Sequence, residues 1–504
     1  MTSDPTALYA AFAARDARFD GVFYVGVTST GIYCRPVCTA RTPREANCRF
    51  FDSAEAAEKA NFRPCLRCRP ELAPGNAPVD DAQRIAALLV REINEGMLDD
   101  GAGLERVAQR FGWSSRQIRR IVHRELGVSP MELVLTRRLL LAKQLLTETA
   151  LPISEIAYAS GFRSLRRFND AFSERYGMPP TRFRSATDAH VRVDGGDTLT
   201  LQLAYRPPFD WSALLAFLRV RALAGVEMVS DDAYLRTVQL GAFHGWIRVC
   251  QRAERNTLVV ELARELVPAL PALLGRLRAL FDLSARPDVI AGRLGGDDLL
   301  VDAVARHPGT RVPGAFDGFE LAARAVLGQQ ISVTAATTLA GRFARAFGEP
   351  VTTPFDALTH LTPTAARIAS ASADEIATLG VVGARARSIV ALATEIASGR
   401  LVLEPGADPE RTIAQLVALP GIGAWTAHYI AMRALRWPDA FPRDDMVLRK
   451  AMGGVTGAAA ERRAEAWRPW RSYATMLLWQ GAARIAPAES GVRGTPHRKR
   501  GARV

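Results

Sequence analysis

The cysteines of this chain are unevenly placed, and their spacing limits how the amino-terminal region can fold. Five of the six lie between residues 34 and 68, and four of them form two close pairs, Cys34 with Cys38 and Cys65 with Cys68. Each pair can span one edge of a tetrahedron, as a four-thiolate zinc site requires. In a reducing compartment such a cluster binds metal more often than it forms disulfides. We therefore predict a Zn²⁺ site of four cysteines, with Cys48 as a packing residue; the less favoured alternative is two unrelated pairs of buried thiols.

The chain is long enough for several domains and carries an excess of positive charge. It has 504 residues, against roughly 100–200 for a typical domain. Its 48% hydrophobic and 23% charged residues are typical of a globular protein. The 65 Lys and Arg residues outnumber the 52 Asp and Glu residues, which gives a net charge of +13. This excess favours a polyanionic partner, most often nucleic acid.

Neither a membrane span nor a secretory signal is visible in the sequence. No stretch approaches the ~18 consecutive apolar residues of a transmembrane helix, and the amino terminus lacks a basic flank before an apolar run. We therefore expect a cytoplasmic, nucleoid-associated protein without a membrane partner. Cys250 is the last cysteine, which excludes a thiolate-held iron–sulfur cluster in the carboxyl-terminal half.

Shifts in composition predict a multidomain, mainly α-helical protein with small α+β modules. The segments TLTLQLAY, LRTVQL and NTLVVEL alternate in the period-two pattern of half-buried strands, whereas the sequence from about 286 is helical throughout. The last residues are basic and glycine-rich, which predicts a disordered tail. The predicted units are a zinc domain (1–75), a helical DNA-binding domain (76–185), an α+β domain (195–285), an all-α domain (286–485) and the tail (486–504).

The cysteine region resembles a known family. GIYCRPVC followed by NFRPCLRCRP is similar to the amino-terminal zinc domain of Ada, a protein of the bacterial response to DNA alkylation. The resemblance implies that Cys34 is both a zinc ligand and the acceptor of a methyl group from a DNA methylphosphotriester. Zinc keeps a thiol deprotonated at neutral pH, and the thiolate is the nucleophile. Four thiolates on Zn²⁺ carry a formal charge of −2, so one methylation leaves −1 and should strengthen DNA binding.

The second unit contains a duplicated helix-turn-helix pattern. LERVAQRFGWSSRQIRRIVHRELG and ISEIAYASGFRSLRRFNDAFSERYG each have a glycine at a turn and then serines placed to cap a second helix. Joined by a long helix, this arrangement resembles the DNA-binding domain of the AraC family. Residues 111–185 hold 13 basic and 6 acidic residues, a surplus of +7. The alternative is a helical bundle whose arginines only face solvent. The candidate DNA contacts on the two helices are Arg116, Gln117, Arg120, Arg163, Arg166 and Arg167.

The carboxyl-terminal half carries the signature of a base-excision enzyme. In LPGIGAWTAHYIAMRAL, Gly421 and Gly423 permit a tight hairpin whose amides can approach a DNA phosphate. Two acids follow about twenty residues later, Asp444 and Asp445. This order resembles the helix-hairpin-helix DNA glycosylase superfamily, in which Asp445 matches the catalytic aspartate. The resemblance narrows to AlkA, an alkylated-base glycosylase, over roughly 197–485.

Three aromatic residues match those that line the base pocket of AlkA: Trp425, Tyr429 and Trp479. An alkylated purine is cationic, and an aromatic face attracts a cation by ~0.5–2 kcal/mol. The positive charge also makes the base a good leaving group, so the enzyme chiefly needs a carboxylate to stabilise the developing oxocarbenium ion. Asp445 fits that role. Without Asp445 and the hairpin, ordinary core packing would be the preferred interpretation of the three rings.

Two further positions refine the expected chemistry. Glycosylases that also cut the backbone use a lysine after the hairpin to form a Schiff base, but this chain has Trp425 there and no lysine until Lys450. We therefore predict a monofunctional glycosylase. Gln329 and Gln330 fall where AlkA places the loop that fills the vacated base stack. AlkA has an apolar residue at the second position, so Gln330 departs from its pattern.

The preferred interpretation is a fusion of an alkylation sensor, a promoter-binding module and a glycosylase for N-alkylated purines such as 3-methyladenine. Its expected partners are alkylated DNA, promoter DNA and, for an activator, RNA polymerase. One alternative is a transcriptional regulator whose glycosylase half is a non-catalytic scaffold. Another is a repair enzyme whose amino-terminal half only anchors it to DNA. The retention of Asp445, three aromatic rings and four cysteines disfavours both alternatives, because under each one a complete set of reactive residues would have no function.

Overall fold

The structure, a computed structural model, describes residues 5–15, 23–51, 54–70, 86, 89–90, 93, 103–110, 113–186 and 196–485. The predicted tail at 486–504 and the glycine of the first helix-turn-helix turn, Gly112, lie outside these residues, as do 71–75 at the end of the predicted zinc domain. The chain divides into two compact units, Met1–Leu141 and Ala142–Val504. Within the described residues, no helix has the length and apolar character needed to cross a membrane.

The first unit begins with a small four-stranded sheet that brings the cysteine pairs together. Its strands are β1 (Tyr24–Val27), β2 (Ile32–Cys34), β3 (Cys48–Phe51) and β4 (Arg63–Pro64), in the order β3-β1-β2-β4, with helices α1 (Pro5–Ala13) and α2 (Ala54–Lys59). Strand β2 ends at Cys34 and pairs in parallel with β4, which leads directly to Cys65. The sheet register thus places the first pair of cysteines beside the second.

A helix-turn-helix follows in the same unit, formed by α3 (Gly103–Arg110) and α4 (Ser115–Leu126). Ser114 caps α4 in a capping box with Gln117, and Gly127 ends the helix in the left-handed conformation at φ 73°. The buried face of α4 packs against α3. Helix α5 (Pro130–Glu148) comes next and continues past the division between the two units.

The second unit opens with the repeat of that pattern. Helices α6 (Ile153–Ala159), α7 (Leu165–Tyr176) and α8 (Pro180–Ala186) follow one another, with Ser164 capping α7 and Gly177 ending it at φ 71°. The rings of Phe168 and Phe172 are fully buried and fix the helices through a cluster of aromatic contacts. The sequence prediction of two serine-capped helices is therefore confirmed at both positions.

An antiparallel five-stranded sheet forms the next module, in the order β5-β9-β8-β7-β6. Its elements are β5 (Thr198–Ala204), α9 (Trp211–Arg219), β6 (Glu227–Val229), β7 (Ala233–Leu240), β8 (Phe243–Arg252), β9 (Thr257–Ala263), the 3₁₀ helix Arg264–Ala269 and α10 (Leu270–Leu280). The three strands predicted from alternation are present. The longest strand, β8, was missed because its sequence, FHGWIRVCQR, does not alternate cleanly.

The remaining described residues form the all-helical module that was predicted. Its hairpin lies between the helices Pro409–Val417 and Ala424–Arg433, and its buried residues form two large clusters. The helices are α11 (Pro287–Leu294), α12 (Val301–Arg306), α13 (Gly318–Leu327), α14 (Val333–Phe347), α15 (Ala365–Ala369), α16 (Ala373–Ala377), α17 (Gly383–Ala397), α18 (Pro409–Val417), α19 (Ala424–Arg433), α20 (Met446–Ala451), α21 (Gly457–Ala464) and α22 (Arg471–Ile485).

Candidate functional site

The four predicted cysteines form a buried cluster suited to a tetrahedral metal ion. Their sulfurs lie within 4.8 Å of one another, and Cys38 Sγ is 3.9 Å from Cys65 Sγ. A tetrahedron with Zn–S bonds of ~2.3 Å has edges of about 3.8 Å, so the spacing fits. The donor set, four cysteines and no carboxylate, is the one zinc favours. These residues therefore form a zinc site, as the sequence predicted.

The electrostatics of the cluster call for a cation. The pKa of Cys34 is raised because its thiol hydrogen-bonds to Cys38 and Cys68 and is buried. Four such neighbouring thiols cannot all ionise without a positive charge among them. One partial compensation is present: the backbone N–H of Arg35 donates to Cys68 Sγ at 3.4 Å, and the Arg35 guanidinium is buried beside Cys68 O. A bound Zn²⁺ would supply the charge that keeps all four sulfurs as thiolates.

The predicted DNA contacts lie on the two capped helices or just before them, and their side chains are exposed. Arg116 and Arg120 project from α4, and Arg166 and Arg167 from the first turn of α7. Arg163 lies just before the α7 cap. Gln117 has a second task, because its side-chain oxygen accepts from the backbone N–H and the hydroxyl of Ser114. Of the Gln117 side chain, the amide nitrogen is therefore the group left for the predicted DNA contact.

The hairpin has the geometry that its glycines predicted. Gly421 lies in the left-handed region at φ +78°, and a Cβ there would come within 2.3 Å of Ser388 Oγ. Gly423 is exposed and caps α19 without a side-chain hydrogen bond. The first amides of α19 consequently face outward at the positive end of the helix dipole, where a phosphate would bind.

Asp445 is the N-cap of α20 and is held by three hydrogen bonds. Its Oδ1 accepts from Leu448 N at 2.8 Å and from the indole nitrogen of Trp479 at 3.0 Å, and its Oδ2 accepts from the indole nitrogen of Trp425 at 3.0 Å. Its exposed fraction is only 8%. Asp444, by contrast, is exposed and lies 3.6 Å from Arg443. The structure therefore brings Asp445, not its neighbour, together with the predicted aromatic residues.

The two indoles that contact that carboxylate form a cluster with Tyr429. Trp425 and Tyr429, one turn apart on α19, stack with centroids 5.5 Å apart and planes 5° from parallel. The rings of Tyr429 and Trp479 are 6.4 Å apart and tilted by 46°. Two stacking distances of about 3.5 Å are needed to accept a planar base between two rings. The ring centroids of Tyr429 and Trp479 are closer than that and their planes are tilted, so a base would stack between them only after the two rings separate and turn toward parallel.

Sequence reasoning missed Arg433, whose guanidinium is hydrogen-bonded to the hydroxyl of Tyr429. Its guanidinium donates to Tyr429 Oη at 2.8 Å and to the carbonyls of Pro313 and Gly314 at 2.8 and 2.9 Å. Burial acts to raise the pKa of Tyr429, but the charges of Arg433 and Arg221 outweigh it, so the pKa lies below its ordinary value. The signal that could have found Arg433 is its position, four residues after Tyr429 on the same helix face.

A buried ion network supports this wall of the site from the sheet module. Arg236 on β7 pairs with Glu320 of α13 at 2.7 Å, and Arg324 bonds to both Glu320 and Glu227. Burial acts to raise the pKa of Glu227, but Arg324 and Arg236 more than offset it, so the pKa is lowered. Glu320 and Arg324 are four residues apart on α13. Their pairing with Arg236 and Glu227, by contrast, joins segments more than 80 residues apart, and no local pattern predicts it.

The loop between α13 and α14 is tied to the hairpin. Gln329 Nε2 donates to Gly421 O at 2.9 Å and to Thr426 Oγ1 at 3.1 Å. Its neighbour Gln330 is exposed and occupies the left-handed region at φ 56°, a strained conformation for a residue with a Cβ. Of the two glutamines, Gln329 is thus anchored to the hairpin and Gln330 is exposed.

Sequence models of four families match successive parts of the chain. They are described as "Metal binding domain of Ada" (7–71), "Helix-turn-helix domain" (107–186), "AlkA N-terminal domain" (200–317) and "HhH-GPD superfamily base excision DNA repair protein" (323–471). All four resemblances drawn from the sequence are therefore confirmed. The matches show a DNA glycosylase with DNA as its partner.

Known relatives match the whole chain and its two halves. The "Probable bifunctional transcriptional activator/DNA repair enzyme AlkA" of Mycobacterium tuberculosis is 40% identical over 488 residues, 95% of this chain and 97% of that protein. The "DNA-3-methyladenine glycosylase 2" of Escherichia coli is 36% identical over 277 residues, 55% of this chain and 95% of that one. The "Bifunctional transcriptional activator/DNA repair enzyme AdaA" of Bacillus subtilis is 30% identical over 180 residues, 36% of this chain and 82% of that one. The chain therefore belongs to the AlkA family in its fused form, in which an Ada-type metal-binding domain and a helix-turn-helix domain precede the two domains of the glycosylase.

Proposed function

We propose that the chain senses DNA methylation through its zinc domain, regulates transcription, and removes N-alkylated purines of the 3-methyladenine type. The observation that carries the proposal is the arrangement around Asp445: one carboxylate held by two indoles inside a cluster of three aromatic rings. That combination suits a substrate that is planar, cationic and attached to a sugar.

Base recognition depends on the rings. A purine alkylated at N3 or N7 is positively charged, and its face would stack between Tyr429 and Trp479 with a cation–π attraction of about 0.5–2 kcal/mol, more once water is excluded. An unmodified purine would lose that electrostatic part. The aromatic site would therefore select cationic bases without a dedicated hydrogen-bond pattern, and Gln329 would contribute by holding its loop against the hairpin.

Bond cleavage depends on the carboxylate. The N-glycosidic bond breaks with its electron pair passing to the cationic base, which leaves neutral, while positive charge develops on the sugar. Asp445, held in place by three donors, stabilises that charge and orients the water that adds to the sugar carbon. The proton of that water passes to solvent or to Asp445, and an abasic site remains.

A lyase step has no nucleophile at the expected position. Trp425 occupies the place after the hairpin, and Lys450 is the only lysine between residues 144 and 498. We propose that the enzyme hydrolyses the base and leaves the strand intact. On an alkylated duplex it should release free 3-methyladenine and 7-methylguanine, and strand breaks should appear only after alkali. Breaks before alkali would contradict the monofunctional assignment, and no free base would contradict the glycosylase assignment.

The amino-terminal half supports the sensing role. The Cys34 sulfur would attack the methyl carbon of a methylphosphotriester, the C–O bond would break, and the phosphodiester oxygen would take the electron pair. The expected test is a one-methyl mass increase on Cys34 after incubation with such a duplex, absent in Cys34→Ser. The methylated form should then bind promoter DNA more tightly as the cluster loses a negative charge, and contact RNA polymerase there. Unchanged affinity would contradict this switch.

A further inference from the structure

The five-stranded sheet has an outer strand, β5, whose free edge is covered by a helix of the regulatory half. Strand β5 pairs with β9 on one side only. An uncovered edge presents backbone groups that would pair with another chain, so native sheets cover or block it. Here the cover is the last turn of α5, the helix that leads into the second helix-turn-helix.

Two side chains of α5 imitate a neighbouring strand. Gln144 Nε2 donates to Gln202 O at 2.7 Å, and Glu148 Oε2 accepts from Gln202 N at 3.0 Å. Both outward-facing backbone groups of Gln202 are thereby satisfied, as a β-ladder would satisfy them. Gln144 Nε2 also donates to Glu148 Oε2 at 3.0 Å, which closes the ring of hydrogen bonds. The two side chains are one helical turn apart, so they meet on one face of α5.

A second contact joins the next helix, α6, to the same sheet module. Helix α6 packs against the 3₁₀ helix that follows β9. Glu155 of α6 accepts two hydrogen bonds from the Arg264 guanidinium, at 2.8 and 3.0 Å. An exposed pair contributes little stability by itself. Together with the Gln202 contact, however, it gives two separate fixed points, and two points restrict rotation as well as separation.

We propose that the outer edge of β5 is a docking site for the end of α5, which joins the second helix-turn-helix to the glycosylase as one body. The recognition helix α7, with Arg166 and Arg167 exposed on its first turn, then cannot turn independently of the glycosylase sheet. DNA bound by α7 consequently sets the place on the duplex where the glycosylase acts. This last consequence rests on the proposed function.

The chemistry of the contact indicates which substitutions break it. Burial is the main cause that raises the pKa of Glu148, yet its oxygen acts here only as an acceptor. A glutamine at 148 keeps one oxygen that can accept from both donors, so Glu148→Gln should preserve the contact. Gln144→Ala with Glu148→Ala removes both partners and leaves the Gln202 amide and carbonyl to water.

The first test is amide hydrogen exchange in the full chain. The Gln202 amide should exchange at least about tenfold faster in the Gln144→Ala/Glu148→Ala variant, which corresponds to the loss of one hydrogen bond to a charged group. Glu148→Gln should remain as slow as wild type. So should the control Glu254→Gln, which removes the same charge from an exposed residue on the same module. Equal exchange in wild type and the double variant would overturn the docking site.

The second test measures its consequence. The full chain first selects a binding site from random-sequence DNA, and duplexes then carry that site with one 7-methylguanine at successive base pairs beside it. In wild type, excision should peak at one helical phase, at least about tenfold above the poorest position. In the double variant the profile should flatten, while excision from a short duplex without the site stays unchanged.

The outcomes separate this inference from the proposed function. No excision by wild type at any position would refute the glycosylase assignment. Excision by wild type that is equal at all positions, or a phased profile that survives in the double variant, would refute the proposed docking of α5 on β5. Either result would leave the glycosylase assignment intact.

Discussion

Replacing either indole that donates to Asp445 by phenylalanine should slow excision while leaving the fold intact. Trp425→Phe and Trp479→Phe each keep an aromatic face for the base but remove one N–H group at 3.0 Å from a carboxylate oxygen. Asp445 would keep its helix-cap bond from Leu448 and one indole. The carboxylate would therefore stay near its place but gain freedom to rotate.

The magnitude follows from the kind of bond that is lost. A hydrogen bond to a charged group contributes about 1.5–3 kcal/mol, and about 1.4 kcal/mol corresponds to a factor of ten in rate. If most of that contribution serves to aim the carboxylate, each variant should lose about tenfold in the single-turnover rate. The double variant should lose about a hundredfold or more. KM should change less, since the ring faces are retained.

The assay is single-turnover release of 3-methyladenine from an alkylated duplex. Trp246→Phe is the matched control, because that indole lies on β8 of the sheet module, packs edge-on against Phe355 and makes no hydrogen bond to Asp445. Its rate should equal that of wild type. A freed carboxylate carries more unshared charge, which would accelerate the reaction if the group kept its position. Rates in both single variants at or above wild type would refute the claim that the indoles orient Asp445.

Three further outcomes are expected. Cys68→Ala should reduce bound zinc from one per chain to none by metal analysis, whereas Cys48→Ala should retain it; zinc retention in both would contradict the four-cysteine site. Gly421→Ala should lower the thermal midpoint, because φ at this position is +78° and an added Cβ would clash with the Ser388 hydroxyl. Gly423→Ala should leave the midpoint unchanged, because a Cβ there has no atom within 4 Å. Equal midpoints for the two variants would contradict the hairpin geometry. Two guanidiniums lower the pKa of Glu227 below its ordinary 4.5, although burial opposes them, so the stability that this carboxylate contributes is present above that pH and is lost as the pH falls. Glu227→Gln should have a lower thermal midpoint at neutral pH, and its midpoint should vary less with pH than that of wild type. Parallel plots of midpoint against pH would contradict the pairing.

Local sequence patterns predicted the parts of the site that depend on local chemistry. The cysteine spacing predicted the metal cluster, since a tetrahedral ion fixes which residue types and spacings work. Ser114 and Ser164 predicted two helix starts, and the structure confirms both caps. Gly421 and Gly423 predicted a tight hairpin, and Gly421 lies in the left-handed region, which a residue without a Cβ adopts without strain.

Contacts between distant segments could not be predicted in that way. The pairing of Arg236 with Glu320, 84 residues apart, leaves no trace in local periodicity. Nor do the hydrogen bonds from Arg433 to the carbonyls of Pro313 and Gly314, in the loop before α13. Strand β8 was missed because its buried positions follow the packing of two neighbouring strands rather than simple alternation.

The most direct test of the account compares Asp445→Asn with Asp444→Asn in single-turnover excision of 3-methyladenine. An asparagine at 445 can still cap α20, so the fold should persist, but it removes the charge and turns an amide nitrogen toward one indole donor. We predict a loss of at least about a hundredfold for Asp445→Asn, the scale of a lost electrostatic group in an active site, and no change for Asp444→Asn. A rate within about threefold of wild type for Asp445→Asn would contradict the central role of that carboxylate.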